Sequence, residues 1–550
     1  MIKKIFGSMH PFIEGGDIYG RIVANTNYIL ALFNSDIFDE YHFFLNDKTS
    51  FKKQLETISF KNLNIIEKIK VFTRQELPSK IKENNYYCFH FSDPFSGFNE
   101  LYQVRNHLSK SIFPITSLTH SLSYQNYGLF FSNHINNCVS SRDAIVASSN
   151  AAQKVIKNYF ELLHKNWNLP SNFSYPNIPI IPLGINIDTF TEINDGEKLN
   201  AKKKLCHLTK NITDNTVLIL SHGRLSLDDK MDILPLIQAL SRVKELTNKK
   251  FHLILSGRNR KDDNYPKAIK KMAELNNISY SIIDSPDNEL MQNLFFASDI
   301  FVSISDNLQE SFGLSLLEAS LASLPSITSN WNGYRDIIIH EKTGFLIPTY
   351  NLNKTPYLDL IGPILPDNIN QLFRAQSTVI DVKKLADALL LLIENQDLRK
   401  KLGDNARKHI HSNFTWPNII QKWENLWQEL WDKKIDVEKL KTNYHLNFIS
   451  QNLLFKNHAS NILNDNSTIK TSIYGEKVRS KKAVIFFWPD LSIYINEKDI
   501  HKLLVLARQN ISIKELKNRL ITNETTEEKI NYLIYWALKE DLIEIIEYSN

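Results

Sequence analysis

The chain predicts an α/β protein built from two doubly wound halves facing one cleft, followed by a small α+β module. Three observations carry that expectation. Short apolar runs alternate with helical stretches for most of the 550 residues, the pattern of parallel sheets covered by helices. The chain is long enough for two to four domains, and 43% hydrophobic residues supply material for their cores. Finally, residues 436–550 change character, opening polar and Asn-rich and ending in a separate strand-and-helix pattern.

In the first half, strands are expected at 2–6, 41–44, 86–91, 115–119, 144–148 and 178–181. The turn Pro182-Leu183-Gly184-Ile185 closes this half. The second half repeats the pattern at 216–221, 251–256, 278–282, 300–303, 326–328 and 344–347. These runs place a first Rossmann-like domain at 1–195 and a second at 205–412. Residues 413–435 form an aromatic-rich helix carrying Trp423, Trp427 and Trp431. An insertion at 350–380, rich in Pro and apolar residues, is expected as an ordered loop over the cleft rim or the domain surface. The tail at 436–550 holds a winged-helix-like module at 484–550: a strand at 484–488, helices near 499–508, 512–520 and 525–537, and a closing strand at 541–546.

Bulk properties exclude several classes. A formal charge of +5 over this length does not imply nucleic-acid binding. From Val484 onward there are eight Lys/Arg against eleven Asp/Glu, which argues against DNA at the tail and for a protein or peptide partner, or an oligomerisation role. Cys88, Cys138 and Cys206 have no metal-ligand spacing and read as reduced thiols. No apolar run approaches the roughly 18 residues of a membrane span, so a cytoplasmic protein is expected. The stretch 51–83, with eight Lys/Arg and four Glu, suits either an ordinary solvated face or peripheral contact with an anionic membrane surface.

The chemistry concentrates in Glu310-Ser311-Phe312-Gly313-Leu314-Ser315-Leu316-Leu317-Glu318. It follows an apolar strand and opens a Leu- and Ala-rich helix. Gly313 would let the backbone approach a ligand closely, and the first N–H groups of the helix suit an anion. Glu318, about two turns further on, could reach another part of the same ligand. This combination suits a phosphorylated sugar, with carboxylates for hydroxyls and amides for phosphate. Gly223-Arg224-Leu225 follows the first strand of the second half, with Lys230 six residues after Arg224. Such cations can clamp a diphosphate and offset charge on a departing nucleotide.

The run from Glu310 to Glu318, together with Gly333-Tyr334-Arg335-Asp336 and 343–348, resembles the Glu-x7-Glu signature and the following glycine turns of family-four retaining glycosyltransferases (glycosyl transferases group 1). The resemblance implies the GT-B fold and transfer of a sugar from a nucleotide-diphosphate sugar to a glycan, glycolipid or protein acceptor. Residues 413–435 would then cross back onto the first domain. Glu310 would hold the sugar hydroxyls, Glu318 the ribose, and Arg224, Lys230 and Gly223 the diphosphate. Asn307, Gln309, Ser311, Phe312, Gly313 and Leu314 would line the donor pocket. Gly15 and Gly16 would meet the diphosphate from the first domain, and His120 would lie beside the transferred sugar. No cofactor and no metal are expected, since Asp228-Asp229 is not the Asp-x-Asp of metal-dependent transferases. The rival expectation is a non-enzymatic sugar-nucleotide sensor acting through the tail.

Overall fold

The computed structural model describes residues 3–13, 20–58, 64–170, 173–206, 212–259, 264–445, 448–486, 488–522 and 525–546. The chain divides into two compact units, Met1–Phe448 and Ile449–Asn550.

The first unit contains two six-stranded parallel sheets. One is formed by β1 (Ile5–Ser8), β2 (Glu40–Leu45), β3 (Ile69–Thr73), β4 (Tyr86–Phe91), β5 (Ile115–Leu118) and β6 (Ala144–Val146), in the order β3-β2-β1-β4-β5-β6. The other is formed by β7 (Val217–His222), β8 (Phe251–Gly257), β9 (Tyr280–Asp284), β10 (Ile300–Ser303), β11 (Ser326–Ser329) and β12 (Gly344–Ile347), in the order β12-β11-β10-β7-β8-β9. Numbered from its own first strand, the second sheet has the same order as the first. Each therefore has its switch point between its first and fourth strands, β1/β4 and β7/β10, where such folds bind ligands beyond the strand carboxyl ends. The central strands are buried on both faces, which is why they read as continuous apolar runs rather than alternating ones.

The chain returns to the first domain through helix Trp416–Asp432. Trp423 and Trp427 are buried, with Trp423 against Tyr28 (ring centroids 5.6 Å apart). The indole N–H of Trp427 donates to Thr116 Oγ1 (3.1 Å) and that of Trp431 to Tyr87 O (2.8 Å). Both indoles keep a partner while their rings fill the core. Across the remaining core of this domain runs a fully buried ion pair. Arg105 grips Asp143 with both guanidinium ends, and Asp143 also accepts from Ser140 N (2.7 Å) and Ile115 N (3.2 Å).

Several elements differ from expectation. β3 was not anticipated: Lys70 interrupts its apolar run, as suits a half-buried edge strand. Residues 178–181 make a single isolated bridge, Ile180 to Ala147 just after β6, because Pro179 and Pro182 lack the N–H that a continuous ladder needs. The insertion is not a loop. Its ends pair as β13 (Thr349–Tyr350) and β14 (Val379–Ile380), enclosing helices Pro356–Ile361 and Asp367–Ala375. It reaches the first domain through hydrogen bonds from Gln125 Nε2 to Leu365 O (3.2 Å) and from Gln371 Nε2 to Ser123 O (2.9 Å).

At the end of the first unit, helix Val437–Thr442 packs beside helix Phe98–Leu108, and His445 N donates to Gln103 Oε1 (2.9 Å). The second compact unit therefore opens later than residue 436. Its antiparallel sheet, in the order β16-β15-β17, comprises β15 (Thr468–Thr471), β16 (Ile511–Ser512) and β17 (Ile543–Ile546). Helices Ile473–Arg479, Glu497–Leu506, Ile513–Leu520 and Glu527–Lys539 complete the module. The α+β module is present, but its first strand is 468–471 and not 484–488. Residues 484–486 belong to no strand or helix, and a 3-10 helix follows at Pro489–Ile493.

Candidate functional site

The second sheet places the critical segments at its switch point. β7 ends at His222, and Gly223 turns the chain with φ +155°, where a Cβ would lie 2.9 Å from Lys230 Cε. From β10, the chain passes through 304–313 into helix Leu314–Leu321. Asn307 shapes that passage. Its buried Oδ1 accepts from Gln309 N (3.0 Å) and Glu310 N (3.2 Å), while its own carbonyl accepts from Trp331 Nε1 (2.8 Å). The helix begins at Gly313 with φ +113°, and a Cβ there would sit 2.6 Å from the ring of Tyr334. Only glycine relieves both the left-handed backbone and that contact.

At this junction Lys230 Nζ lies 2.5 Å from Glu310 Oε2. Both side chains are largely buried, at 13% and 14% exposure. Burial works against the Lys230 ammonium, but the adjacent Glu310 carboxylate and Tyr334 outweigh it and hold its pKa above the ordinary lysine value. Burial likewise opposes the Glu310 carboxylate, and Lys230 again prevails, keeping its pKa below the usual range. Glu310 Oε1 also accepts from Phe312 N (3.3 Å). The result is a fixed cation and a fixed anion beside the start of a helix, able to address a phosphate and sugar hydroxyls respectively.

The other expected residues fall around this pair. Arg224 Nη1 pairs with Asp229 Oδ2 (2.8 Å) at the mouth of the same loop. Gln309 Nε2 donates to Tyr124 OH of the first domain (3.2 Å), and Ser311 O accepts from Ser149 Oγ (2.9 Å). Phe312 is buried, and Leu314 is the first helical residue. Glu318, the fifth residue of the helix, has its pKa pushed up to about 7 by burial, with Lys230 pulling the other way. Gly15 and Gly16 lie outside the described residues.

His120 follows β5, and Nε2 approaches two acceptors, Asn25 Oδ1 (2.8 Å) and Ser92 O (3.1 Å). The proton therefore sits on Nε2, leaving Nδ1 as a lone-pair acceptor. Burial, aided by Arg21, lowers the pKa to about 4, so the ring is neutral at pH 7. Among the described residues, no group of three or more His, Cys, Asp or Glu could hold a metal ion. No described helix is long and apolar enough to cross a membrane.

Some participants were not singled out from the sequence. Tyr334 OH contacts Ser303 Oγ (2.7 Å), Glu310 Oε2 (3.3 Å) and Lys230 Nζ (3.4 Å). Asp306, its pKa raised to about 8 mainly by burial, accepts from Asp232 N (3.2 Å), linking the two loops beneath the pair. Asp336 reaches across to the first domain, accepting from Asn150 N (2.6 Å) and Nδ2 (2.9 Å) at the start of helix Asn150–Trp167. Gly333-Tyr334-Arg335-Asp336 was visible as a turn, but nothing in its composition says which way the phenol or the carboxylate reaches.

Residues 207–372, which contain Arg224, Lys230, the whole Glu310–Glu318 run and Tyr334, match the sequence model of glycosyl transferases group 1. This segment belongs to that family. Curated relatives of the chain include the putative glycosyltransferase YtcC of Bacillus subtilis, 26% identical over 162 residues (29% of this chain, 32% of that protein). Another is N-acetyl-alpha-D-glucosaminyl L-malate synthase of Bacillus anthracis, 24% identical over 137 residues (25% of this chain, 28% of that protein). The chain thus matches about a third or less of the length of these relatives. Solved structures extend the likeness to both domains. A glycosyltransferase from Rickettsia africae superposes with a TM-score of 0.53 at 18% identity, over 79% of this chain and all of that one. Anabaena HepE in complex with UDP gives 0.51 at 16%, over 78% of this chain and all of that one. The architecture shared with these structures is the GT-B fold: two Rossmann-like domains facing a cleft.

Proposed function

We propose that the protein is a retaining glycosyltransferase that moves a sugar from a nucleotide-diphosphate sugar to a glycan, glycolipid or protein acceptor without a required metal. The observation that carries this reading is the Lys230–Glu310 pair, held at the β7/β10 switch point beside the Gly313 helix start inside the group 1 segment.

In the proposed reaction, the bond from the anomeric carbon to the diphosphate oxygen breaks while the acceptor oxygen bonds to that carbon on the same face. The acceptor proton passes to the leaving phosphate oxygen. Arg224, Lys230 and the helix amides after Gly313 stabilise the growing diphosphate charge. Glu310 holds sugar hydroxyls, and Glu318 the ribose. Neither carboxylate needs to act as a general acid or base. Neutral His120 contributes an acceptor nitrogen at Nδ1 beside the sugar and, together with the Ser149 and Tyr124 bonds, brings the first domain to the acceptor side. Peripheral contact with an anionic membrane face through residues 51–83, and a protein or peptide partner at the tail, belong to the same reading.

The test is calorimetric titration of the EDTA-treated chain with UDP-, GDP- and ADP-sugars, with Arg224→Ala as control. Saturable binding of one nucleotide sugar, weakened in the control, followed by transfer from it, supports the proposal. Binding without any transfer to a panel of glycan and glycolipid acceptors would favour a sugar-nucleotide sensor, and no binding at all would sink the donor site.

A further inference from the structure

Beneath the Lys230–Glu310 pair lies a single phenol that touches both partners. Tyr334 is fully buried, and its ring lies against the Gly313 turn, so close that glycine is the only residue that fits there. Its hydroxyl has three polar neighbours: Ser303, Lys230 and Glu310. A phenol offers one proton and two lone pairs, an ammonium can only donate, and a carboxylate can only accept. One arrangement satisfies all three contacts. Lys230 and Ser303 donate to the phenol oxygen, and the phenol donates to Glu310 Oε2. The hydroxyl thus closes a triangle with the ion pair, and Ser303, at the end of β10, anchors it to the sheet.

We propose that Tyr334 is a positioning residue for sugar transfer: its hydroxyl fixes Lys230 and Glu310 relative to each other and to the Gly313 helix start. The inference rests on the donor-sugar reading of this site. Two long, flexible side chains paired only with each other can swing together. A third contact from a rigid ring seated against the backbone removes that freedom before any ligand arrives. The benefit falls on the reacting geometry rather than on overall affinity, because binding of the diphosphate also draws on Arg224 and the helix amides.

Tyr334→Phe isolates the effect, since it keeps the ring against Gly313 and removes only the hydroxyl. The full chain is compared with Tyr334→Phe and Ser303→Ala in three measurements: UDP affinity by calorimetry, release of UDP from UDP-glucose, and the labelling rate of Lys230 by acetic anhydride, read by peptide mass spectrometry. The expected result for Tyr334→Phe is a UDP Kd within about twofold of wild type, an unchanged KM, and a kcat lowered about tenfold. Lys230 should be labelled several-fold faster relative to surface lysines. Ser303→Ala should show the same signs at smaller size. A wild-type kcat in Tyr334→Phe overturns the inference and leaves the donor site standing. If the wild type binds UDP but releases none from UDP-glucose, the labelling rate decides alone, and an unchanged rate overturns the inference. If the wild type binds GDP or ADP instead of UDP, that nucleotide and its glucose ester take the place of UDP and UDP-glucose in the same measurements; a wild type that binds none of the three sinks the donor-site reading and this inference with it.

Discussion

Two of the buried ion pairs in the first unit, Arg105–Asp143 and Lys230–Glu310, are built for opposite purposes. Arg105–Asp143 is sealed. Both side chains are wholly inaccessible, the guanidinium is bidentate, and backbone N–H groups of Ser140 and Ile115 fill the remaining acceptor positions. Lys230–Glu310 sits where two loops leave the sheet, retains some exposure, and has its extra contacts from a hydroxyl and one backbone amide. A charge pair inside a protein gains from mutual attraction but loses hydration, so its value depends on how completely its other hydrogen bonds are met. The sealed pair ties helix Phe98–Leu108 to the approach to β6. The open pair can exchange partners with a ligand at modest cost.

Breaking the sealed pair should have the largest effect. Arg105→Met leaves a buried carboxylate with no cation, and the loss is expected to be about 3–5 kcal/mol. Urea unfolding followed by circular dichroism measures it. A change under about 1 kcal/mol would mean that the backbone N–H groups alone satisfy Asp143, and the contrast between the pairs would collapse.

The open pair should respond in the other currency, activity rather than stability. Glu310→Gln keeps the shape of the side chain but removes the charge proposed to hold sugar hydroxyls. Transfer is expected to fall about a hundredfold, equivalent to roughly 2.7 kcal/mol. UDP affinity should change little, and the melting temperature should fall far less than in Arg105→Met, because this pair retains some exposure. A large drop in melting temperature would place Glu310 with Asp143 among structural carboxylates. One step smaller, Arg224→Ala should weaken UDP binding about tenfold, roughly 1.4 kcal/mol, in calorimetry. Its guanidinium, about a third exposed, pairs with Asp229 within the same loop, so its removal should leave the fold intact. Unaltered UDP binding would confine diphosphate recognition to Lys230 and the helix start.

The two pairs also differ in how far the sequence reveals them. Lys230 and Glu310 were marked because each sits beside a glycine at a strand end, a local pattern with a chemical meaning. That they touch each other is a consequence of the β7/β10 pairing, which brings together residues 80 apart. Arg105 and Asp143 carry no local signal at all. One lies in a helix and the other just before a strand, and only the folded register makes them partners. Tyr334 falls between these cases: its turn was legible, but the direction of its hydroxyl was not. The same distinction separates the sheets from the insertion. Eleven of the twelve central strands announce themselves as apolar runs. The helices of 350–380 carry Tyr357, Leu360 and Ile364 at helical spacing, but these side chains are exposed, and Pro356, Pro363 and Pro366 gave the segment the look of a loop.

Glu318 supplies the smallest and most discriminating test, because it is a carboxyl whose burial is not fully offset by a cation. Its folded pKa of about 7 stands above the ordinary glutamate value of 4.5. The unfolded chain releases this proton first, so between pH 4.5 and 7 the folded state binds more protons than the unfolded state. Its contribution to stability is therefore fully present below about pH 4.5 and is lost as pH rises through 7. Glu310, whose pKa is lowered, contributes in the opposite sense, with stability present above the ordinary glutamate value and lost on acidification. Glu318→Gln should abolish the first trend and leave the second. Solvent screening at a side chain that is only partly buried reduces the effect to on the order of 1 kcal/mol. Melting temperatures at pH 5 and pH 7.5 read it directly: the variant should gain on the wild type at the higher pH. An equal difference at both values would mean that Glu318 is already ionised at pH 5. The helix start would then present a second anion beside Glu310, leaving Lys230 and Arg224 to counter both carboxylates as well as a bound diphosphate.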